Sequence, residues 1–221
     1  LDEVLDIFFF FFIHIGGDEC PKVAWEGCEK CQQRIKEENL ENEHELQSWF
    51  ITQMDHYLTS KGRRLIGWDE ILEGGLAPQA TVMSWRGIAG GIEAAKQNHD
   101  VVMSPTTHMY IDYYQSQVTE NEPLAIGGYL PVEKVYSFEP IPEELTPEEA
   151  KYVLGVQTNL WTEYVPSTYH AEYMLLPRLQ AQAEVAWTLK DKKDFRNFEE
   201  RLIEDYRRLE KLEINYRDHR K

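Results

Sequence analysis

Two carboxylates, Asp18 and Glu19, stand side by side at the end of Ile13-His14-Ile15-Gly16-Gly17. A carboxylate pair can do acid and base work: one member moves a proton while the other orients a neighbouring group. Adjacency restricts the choice. Neighbouring residues of an extended chain point to opposite faces. Asp18 and Glu19 therefore cannot easily flank one scissile bond as nucleophile and acid, which needs about 5 Å or more between carboxyl groups. They can hold different atoms of one substrate. Four further runs carry polar and aromatic side chains: Trp68-Asp69-Glu70, Met83-Ser84-Trp85-Arg86, Tyr110-Ile111-Asp112-Tyr113-Tyr114 and Trp161-Thr162-Glu163. Other chemistries fail on inventory. There is no His-Glu-x-x-His helix, no Gly-x-x-x-x-Gly-Lys loop and no Gly-x-Ser-x-Gly elbow. Gly87-Ile88-Ala89-Gly90-Gly91 reads as a tight helix start rather than a nucleotide turn.

The elements that must position these runs follow from periodicity. The apolar run Ile7 to Ile13, with Phe8 to Phe12 all phenylalanine, reads as a buried strand extending to Ile15. Gly16-Gly17 ends it and lets the backbone turn sharply. Pro21 to Gly27 reads as a loop, Cys28 to Glu38 as a helix, and Glu43 to Lys61 as a longer helix. Leu46, Trp49, Phe50, Met54 and Leu58 are expected on the apolar face of that longer helix, with Gly62 as its stop. Further strands are expected at 64–68, 80–85, 100–104 and 153–160, with a helix at 88–97. The segment 106–147 reads as a long functional loop, and Thr146-Pro147-Glu148-Glu149 as a capping box. Terminal helices are expected at 169–187 and 195–212, the last laced with opposite charges on a solvated face.

Alternating strands and helices argue for a parallel sheet. The chemistry-bearing runs fall after strands, which favours an α/β (β/α)8 TIM barrel of which this chain holds about the last five βα units. An open doubly wound sheet is the alternative from pattern alone. The expected organisation is a single catalytic-domain portion over 1–221, with barrel units over 1–190 and a C-terminal helix over 194–214.

The 221 residues carry a formal net charge of -16. Such a chain is a poor prospect for phosphate backbones or anionic membranes, so no nucleic acid is expected as a partner. No apolar run approaches the ~20 residues of a membrane helix, so no membrane insertion is expected, and no basic leader precedes the first apolar run. Twelve Tyr and six Trp offer flat faces to a neutral ring-shaped ligand. Three cysteines, Cys20, Cys28 and Cys31, give no closed disulfide framework. Free thiols, one disulfide and a zinc site with His44 as the nearest candidate for a fourth ligand all remain open.

His14-Ile15-Gly16-Gly17-Asp18-Glu19 resembles the signature of the family 20 glycoside hydrolases, the β-N-acetylhexosaminidases. Trp68-Asp69-Glu70, Met83-Ser84-Trp85-Arg86, Tyr110-Ile111-Asp112-Tyr113 and Trp161-Thr162-Glu163 resemble that family's later motifs, in the same order. The resemblance runs from the first strand to about Trp187. The region Cys20-Pro21-Lys22 with Cys28-x-x-Cys31 resembles bacterial members. The resemblance implies a (β/α)8 barrel, no cofactor and no metal, and a retaining mechanism in which the sugar's own 2-acetamido oxygen attacks C1 to form an oxazolinium ion. It implies Glu19 as general acid and then base, Asp18 as acceptor from the acetamide N–H, and Tyr110 as donor to the acetamido oxygen. Trp68, Trp85 and Trp161 become walls for the acetamide methyl and the sugar face. Asp112 and Glu163 bind ring hydroxyls, and His14 supports from behind. Asp69 and Glu70 read as scaffold; Tyr113 and Tyr114 have no assigned role. Proton donation near neutral pH calls for apolar surroundings at Glu19.

The implied partners are glycans ending in N-acetylhexosamine and the N-terminal portion of the barrel, whose first three strands are not in this sequence. Periplasmic or secreted residence is only what the family implies. Two departures from the family stand out: the Phe8 to Phe12 run, and the absence of the first strands with their sugar-gripping Arg. The enzyme reading therefore competes with a catalytically silent, sugar-binding remnant, and more weakly with a glycosidase using Glu70 or Glu163 as nucleophile beside Glu19.

Overall fold

The computed structural model describes residues 1–221. Five strands form one sheet in the order of the sequence: β1 (Phe12–His14), β2 (Arg64–Trp68), β3 (Thr81–Ser84), β4 (Val101–Met103) and β5 (Val153–Val156). The chain divides into two compact units, residues 1–102 with 144–154, and residues 103–143 with 155–221.

In the first unit, β1 pairs parallel with β2 through Phe12↔Arg64, Ile13↔Leu65 and His14↔Ile66. β2 pairs parallel with β3 through Ile66↔Thr81, Gly67↔Val82 and Trp68↔Met83. All of β3 and the last four residues of β2 are buried. Burial on both faces is what a parallel sheet covered by helices demands, and it explains their unbroken apolar runs. The helices are α1 (Asp2–Ile7), α2 (Val23–Glu26), α3 (Glu29–Glu37), α4 (Glu43–Ser60) and α5 (Ala89–Lys96). Asn42 caps α4 by accepting from the His44 and Glu45 N–H groups. Gly62, at φ +70°, stops it as expected. A one-turn 3-10 helix, Asp69–Leu72, follows β2. The capping box forms reciprocally between Thr146 and Glu149 but opens only a 3-10 turn, Glu149–Tyr152.

Several expectations fail here: the segment expected as a loop, Pro21 to Gly27, holds α2, and the strand expected over 153–160 ends at Val156. β1 is three residues long rather than running from Ile7 to Ile15, and Phe8 to Phe12 are exposed, Phe9 by 79%. Register with β2 begins at Phe12, where the Arg64 N–H donates to the Phe11 carbonyl at 2.9 Å, and the strand does not extend back over residues 8–11. The Phe11 and Phe12 rings meet edge-on at 5.1 Å, and the Arg64 guanidinium lies over Phe11. The inward face of α4 is also rotated from the expected one. Leu46, Gln47, Ile51, Asp55 and Leu58 are buried while Phe50 is exposed. The polar members are kept inside by specific bonds, such as Asp55 accepting from the Gln79 N–H.

The second unit holds α6 (Thr106–Met109), α7 (Val132–Tyr136), α8 (Thr168–Leu175), α9 (Arg178–Trp187) and α10 (Phe195–Lys211). The expected long loop thus contains two short helices. The expected 169–187 helix is two, broken at Leu176-Pro177, where proline has no N–H to continue the ladder. Asp194 caps α10, whose Phe198, Leu202, Tyr206 and Leu209 are buried at helical spacing. Its outer face carries Arg207–Glu204 and Arg208–Asp205 pairs, the solvated charge pattern expected.

Candidate active site

The first unit carries His14, Asp18, Glu19, Trp68 and Trp85; the second carries Tyr110, Asp112, Trp161 and Glu163.

The parallel ladder continues past β1, with the Ile15 N–H donating to the Ile66 carbonyl and the Trp68 N–H to that of Gly16. The backbone then enters the left-handed region at Gly16 (φ +76°) and Gly17 (φ +96°), and returns to it at Glu19 (φ +45°). Gly17 is required twice over. Its φ suits glycine, and a Cβ there would lie 2.6 Å from Ile71 Cγ2. Glu19 has no such freedom, so its backbone is a strained outlier of the kind that clusters at functional sites. Gln47, buried on α4, holds the turn: its Nε2 donates to the Gly17 carbonyl at 2.9 Å. Its Oε1 accepts from Lys22 Nζ, which also donates to the Cys20 carbonyl at 2.7 Å. The carbonyls on either side of Asp18-Glu19 are thus tied to one clamp. Both carboxylates are exposed.

Behind the turn, the Gly16 N–H donates to His14 Nδ1 at 3.0 Å, and the imidazole meets Trp68 at 4.8 Å between centroids. Withdrawal from water pushes the His14 pKa down, against the pull of the Asp18 charge. His14 is thus hydrogen-bonded to the backbone of the turn it precedes. Trp68 meets Trp85 edge-on at 6.4 Å over a cluster of Ile66 and Met83. Asp69 and Glu70 are scaffold, as expected. Asp69 accepts from the Trp85 and Arg86 N–H groups and from Arg86 Nε, while Glu70 accepts from the Trp85 indole at 2.8 Å. Burial raises the Glu70 carboxyl pKa, and the indole bond opposes the rise.

In the second unit, Tyr110 pairs with Asn159 as a parallel bridge. The Ile111 N–H donates to the Asn159 carbonyl at 2.9 Å, and the Asn159 N–H to the Met109 carbonyl at 2.8 Å. The Tyr110 and Trp161 rings lie 6.4 Å apart. Burial pushes the Tyr110 phenol up to about 12, with hydrogen bonds from Trp161 and Asn159 opposing; it stays a neutral donor at any physiological pH. Asp112 is buried, and its Oδ1 has no hydrogen-bond partner within the protein. Burial pushes its carboxyl up to about 6; its backbone bond and the Arg178 charge oppose, and Glu163 adds repulsion. Trp161 and Glu163 are exposed.

Sequence reasoning missed Arg178. It is fully buried at the start of α9. Its guanidinium donates to the carbonyls of Tyr113 at 2.8 Å, Leu130 at 3.1 Å and Met174 at 2.7 Å, and to that of Ile111. It therefore grips the Tyr110–Tyr114 run on both sides of Asp112. Burial pushes the guanidinium down to about 9, which leaves it charged at neutral pH. One signal was available: Met174, Arg178, Ala181 and Val185 lie at helical spacing, which puts a cation on an otherwise apolar stripe. Gln47 was missed for the same reason, a polar residue on the buried face of α4.

The model of the glycosyl hydrolase family 20 catalytic domain matches residues 1–190. The chain belongs to glycosyl hydrolase family 20. A β-hexosaminidase of Porphyromonas gingivalis is 53% identical over 98% of this chain, and one of Vibrio furnissii is 35% identical over 83%. The solved family 20 exo-β-N-acetylglucosaminidase of Vibrio harveyi, in complex with N-acetylglucosamine, superposes on all of the chain with a TM-score of 0.89 at 30% identity. The chain spans 28% and 30% of the lengths of those two relatives and 35% of the solved structure. The five strands in sequence order are accordingly five βα units of a family 20 barrel, as the alternation of elements implied.

Proposed function

We propose that this family 20 chain serves a retaining exo-β-N-acetylhexosaminidase that releases terminal β-linked GlcNAc or GalNAc by substrate-assisted catalysis. The observation that carries the reading is the Gly16-Gly17-Asp18-Glu19 turn at the carboxyl end of β1. Its backbone is held in left-handed conformations by packing on Ile71 and by the Gln47 clamp. Strain maintained by surrounding structure at a barrel strand's carboxyl end is where catalytic groups belong.

On the first unit, Glu19 protonates the leaving glycosidic oxygen while the substrate's acetamido oxygen attacks C1. The resulting oxazolinium ion is opened by water, which Glu19 deprotonates. Asp18 accepts from the acetamide N–H and balances the positive charge that grows there. His14, bonded to the Gly16 N–H, holds the turn from behind. Trp68 and Trp85 wall the acetamide methyl, whose burial is worth about 1 kcal/mol. On the second unit, Tyr110 donates to the acetamido oxygen, a role that its high pKa suits. Asp112 takes a ring hydroxyl on its unpartnered Oδ1, Glu163 takes another, and Trp161 stacks on the sugar. The substrates on this reading are glycans ending in N-acetylhexosamine.

The same reading includes further βα units as a structural partner. β1 stands at the edge of the sheet order, the Phe8–Phe12 rings are exposed, and an apolar cavity of ≈ 520 Å³ lies beside Ile13, His14, Ile51 and Met54. An uncovered strand edge with apolar rings beside it calls for cover.

The test is hydrolysis of 4-nitrophenyl β-GlcNAc by the full protein, with an N-acetyl thiazoline inhibitor alongside. Turnover, tight inhibition and loss of roughly 10²-fold or more in Glu19→Gln and Asp18→Ala are expected. Turnover without inhibition would mean an enzyme nucleophile instead; binding without turnover would mean a silent sugar-binding remnant.

A further inference from the structure

The one-turn 3-10 helix Asp69–Leu72 is joined to three parts of the first unit's site. Trp68 is its N-cap residue. Ile71 packs against the turn that carries Asp18 and Glu19, since a Cβ on Gly17 would meet Ile71 Cγ2 at 2.6 Å. Asp69 and Glu70 hold Trp85 at two points. Asp69 Oδ2 accepts from its backbone N–H at 3.1 Å, and Glu70 Oε2 accepts from its indole N–H at 2.8 Å. Both acidic residues are buried, and a Cβ on Gly90 of α5 would come within 2.7 Å of Asp69 Cβ, so the short helix has little room to shift. Arg86 Nε, 3.7 Å from Glu70 Oε1, holds the carboxylate from its other side. The backbone bond fixes where the Trp85 side chain starts and leaves its torsions open. The bond at the far edge of the indole fixes them.

We propose that Glu70 is a positioning residue for Trp85 and thereby decides which N-acyl group the bound sugar can carry. The inference rests on the reading of Trp68 and Trp85 as walls for the acetamide methyl. The two rings meet edge-on, with 71° between planes and 6.4 Å between centroids. A slot between crossed rings has a width set by the tilt of each. Trp68 is buried with Ile66 and Met83, so packing holds its ring. Trp85 is half-buried against the same cluster, so packing constrains its tilt less and the Glu70 bond constrains it more. With the bond in place, an added methylene on the acyl group can enter only by forcing a ring off its position. With the bond removed, the indole can rotate outward and the slot widens. Glu70 acts through Trp85 and not on the sugar.

The test compares kcat/KM of the full protein on 4-nitrophenyl β-glucosaminides carrying an N-acetyl or an N-propionyl group. Wild type should favour acetyl by about tenfold or more, the usual worth of one methylene in a fitted apolar pocket. Glu70→Met keeps the length and loses the acceptor, with Glu70→Ala as the second variant if methionine is not tolerated. Either should narrow the preference about fivefold or more. Glu70→Gln, whose amide oxygen can still accept from the indole, should stay within about twofold of wild type. In a Trp85→Phe background, which has no indole N–H, Glu70→Met should change the ratio no further. A merely structural defect would lower both rates together and persist in that background. The indole N–H resonance of Trp85, assigned by its loss in Trp85→Phe, should move and exchange faster with solvent in Glu70→Met and stay in place in Glu70→Gln. An unmoved resonance, or an unchanged acyl preference in an active Glu70→Met protein, would overturn the proposal and leave the hydrolase reading standing. A Glu70→Gln protein inactive on both substrates would overturn it as well, by giving the carboxylate a direct part in the reaction. A wild-type protein that turns over neither substrate would remove the hydrolase reading and this proposal with it.

Discussion

Gln47 Nε2 lies 2.9 Å from the carbonyl oxygen of Gly17, thirty positions away in the chain. This one bond fixes the turn that presents Asp18 and Glu19, and the Gln47 side chain is buried where water cannot replace it. Gln47→Ala removes the donor and leaves the Gly17 carbonyl and Lys22 without their shared partner. The expected cost is about 1–3 kcal/mol of stability. On the proposed function, turnover should drop about tenfold or more while KM changes little, because the proposed acid Glu19 is displaced rather than the proposed walls. Chemical denaturation and steady-state kinetics measure the two effects; a pure KM effect would remove Gln47 from this role.

Gly17→Ala should be worse than an ordinary Gly→Ala change. The new Cβ meets Ile71 Cγ2 at 2.6 Å, and the φ of +96° is unfavourable for any L side chain. Overpacking alone costs about 1–3 kcal/mol, and the backbone adds to it. Ile71→Ala in the same chain should recover the packing part only. Complete rescue would show that φ contributes nothing.

Asp112 links stability to pH and, on the proposed function, sugar binding as well. Its carboxyl is pushed from 3.8 up to about 6 in the folded state. The fold therefore holds this proton more tightly than the unfolded chain does. Stability from this group is full below pH ~4 and declines as pH rises from ~4 to ~6. Asp112→Asn removes the penalty, so it should be more stable than wild type above pH 6, by up to about 3 kcal/mol, with no gain below pH 4. The same variant should lose kcat/KM together with any rising limb near pH 6. Equal denaturation midpoints for the two proteins at pH 5 and pH 8 would exclude this account.

Arg178→Met keeps an unbranched side chain but strips four carbonyls, on Ile111, Tyr113, Leu130 and Met174, of their donor. Removing one partner from a buried charged network costs about 3–5 kcal/mol. Lysine cannot reproduce the planar fork, so Arg178→Lys should recover little. Thermal melts report the loss, and near-UV circular dichroism should show the Tyr110–Tyr114 aromatics losing their fixed environment.

How far the chain was legible depended on whether its information was local. The strands at 64–68 and 81–84 could be read because both faces are buried and the apolar run is unbroken. The glycine pair before Asp18 could be read because only a turn needs it. The Phe8–Phe12 run misled for the opposite reason: apolar composition predicts burial, but burial requires a neighbour, and register with β2 begins at Phe12. Gln47 and Arg178 lay on helix faces where polar residues look like interruptions, and their partners are distant in sequence. The sites' polar scaffold was visible only in part. Asp69 and Glu70 could be assigned to support, but not to the particular indole that Glu70 holds.

The strand order has a consequence for assembly. Each strand lies beside those that precede and follow it in the chain. Each strand therefore finds its neighbour one βα unit away in the chain, and no pairing skips a unit. The sheet can grow as a row laid edge to edge in the direction of synthesis. Pulse-labelled amide exchange during refolding should find β2 and β3 protected together.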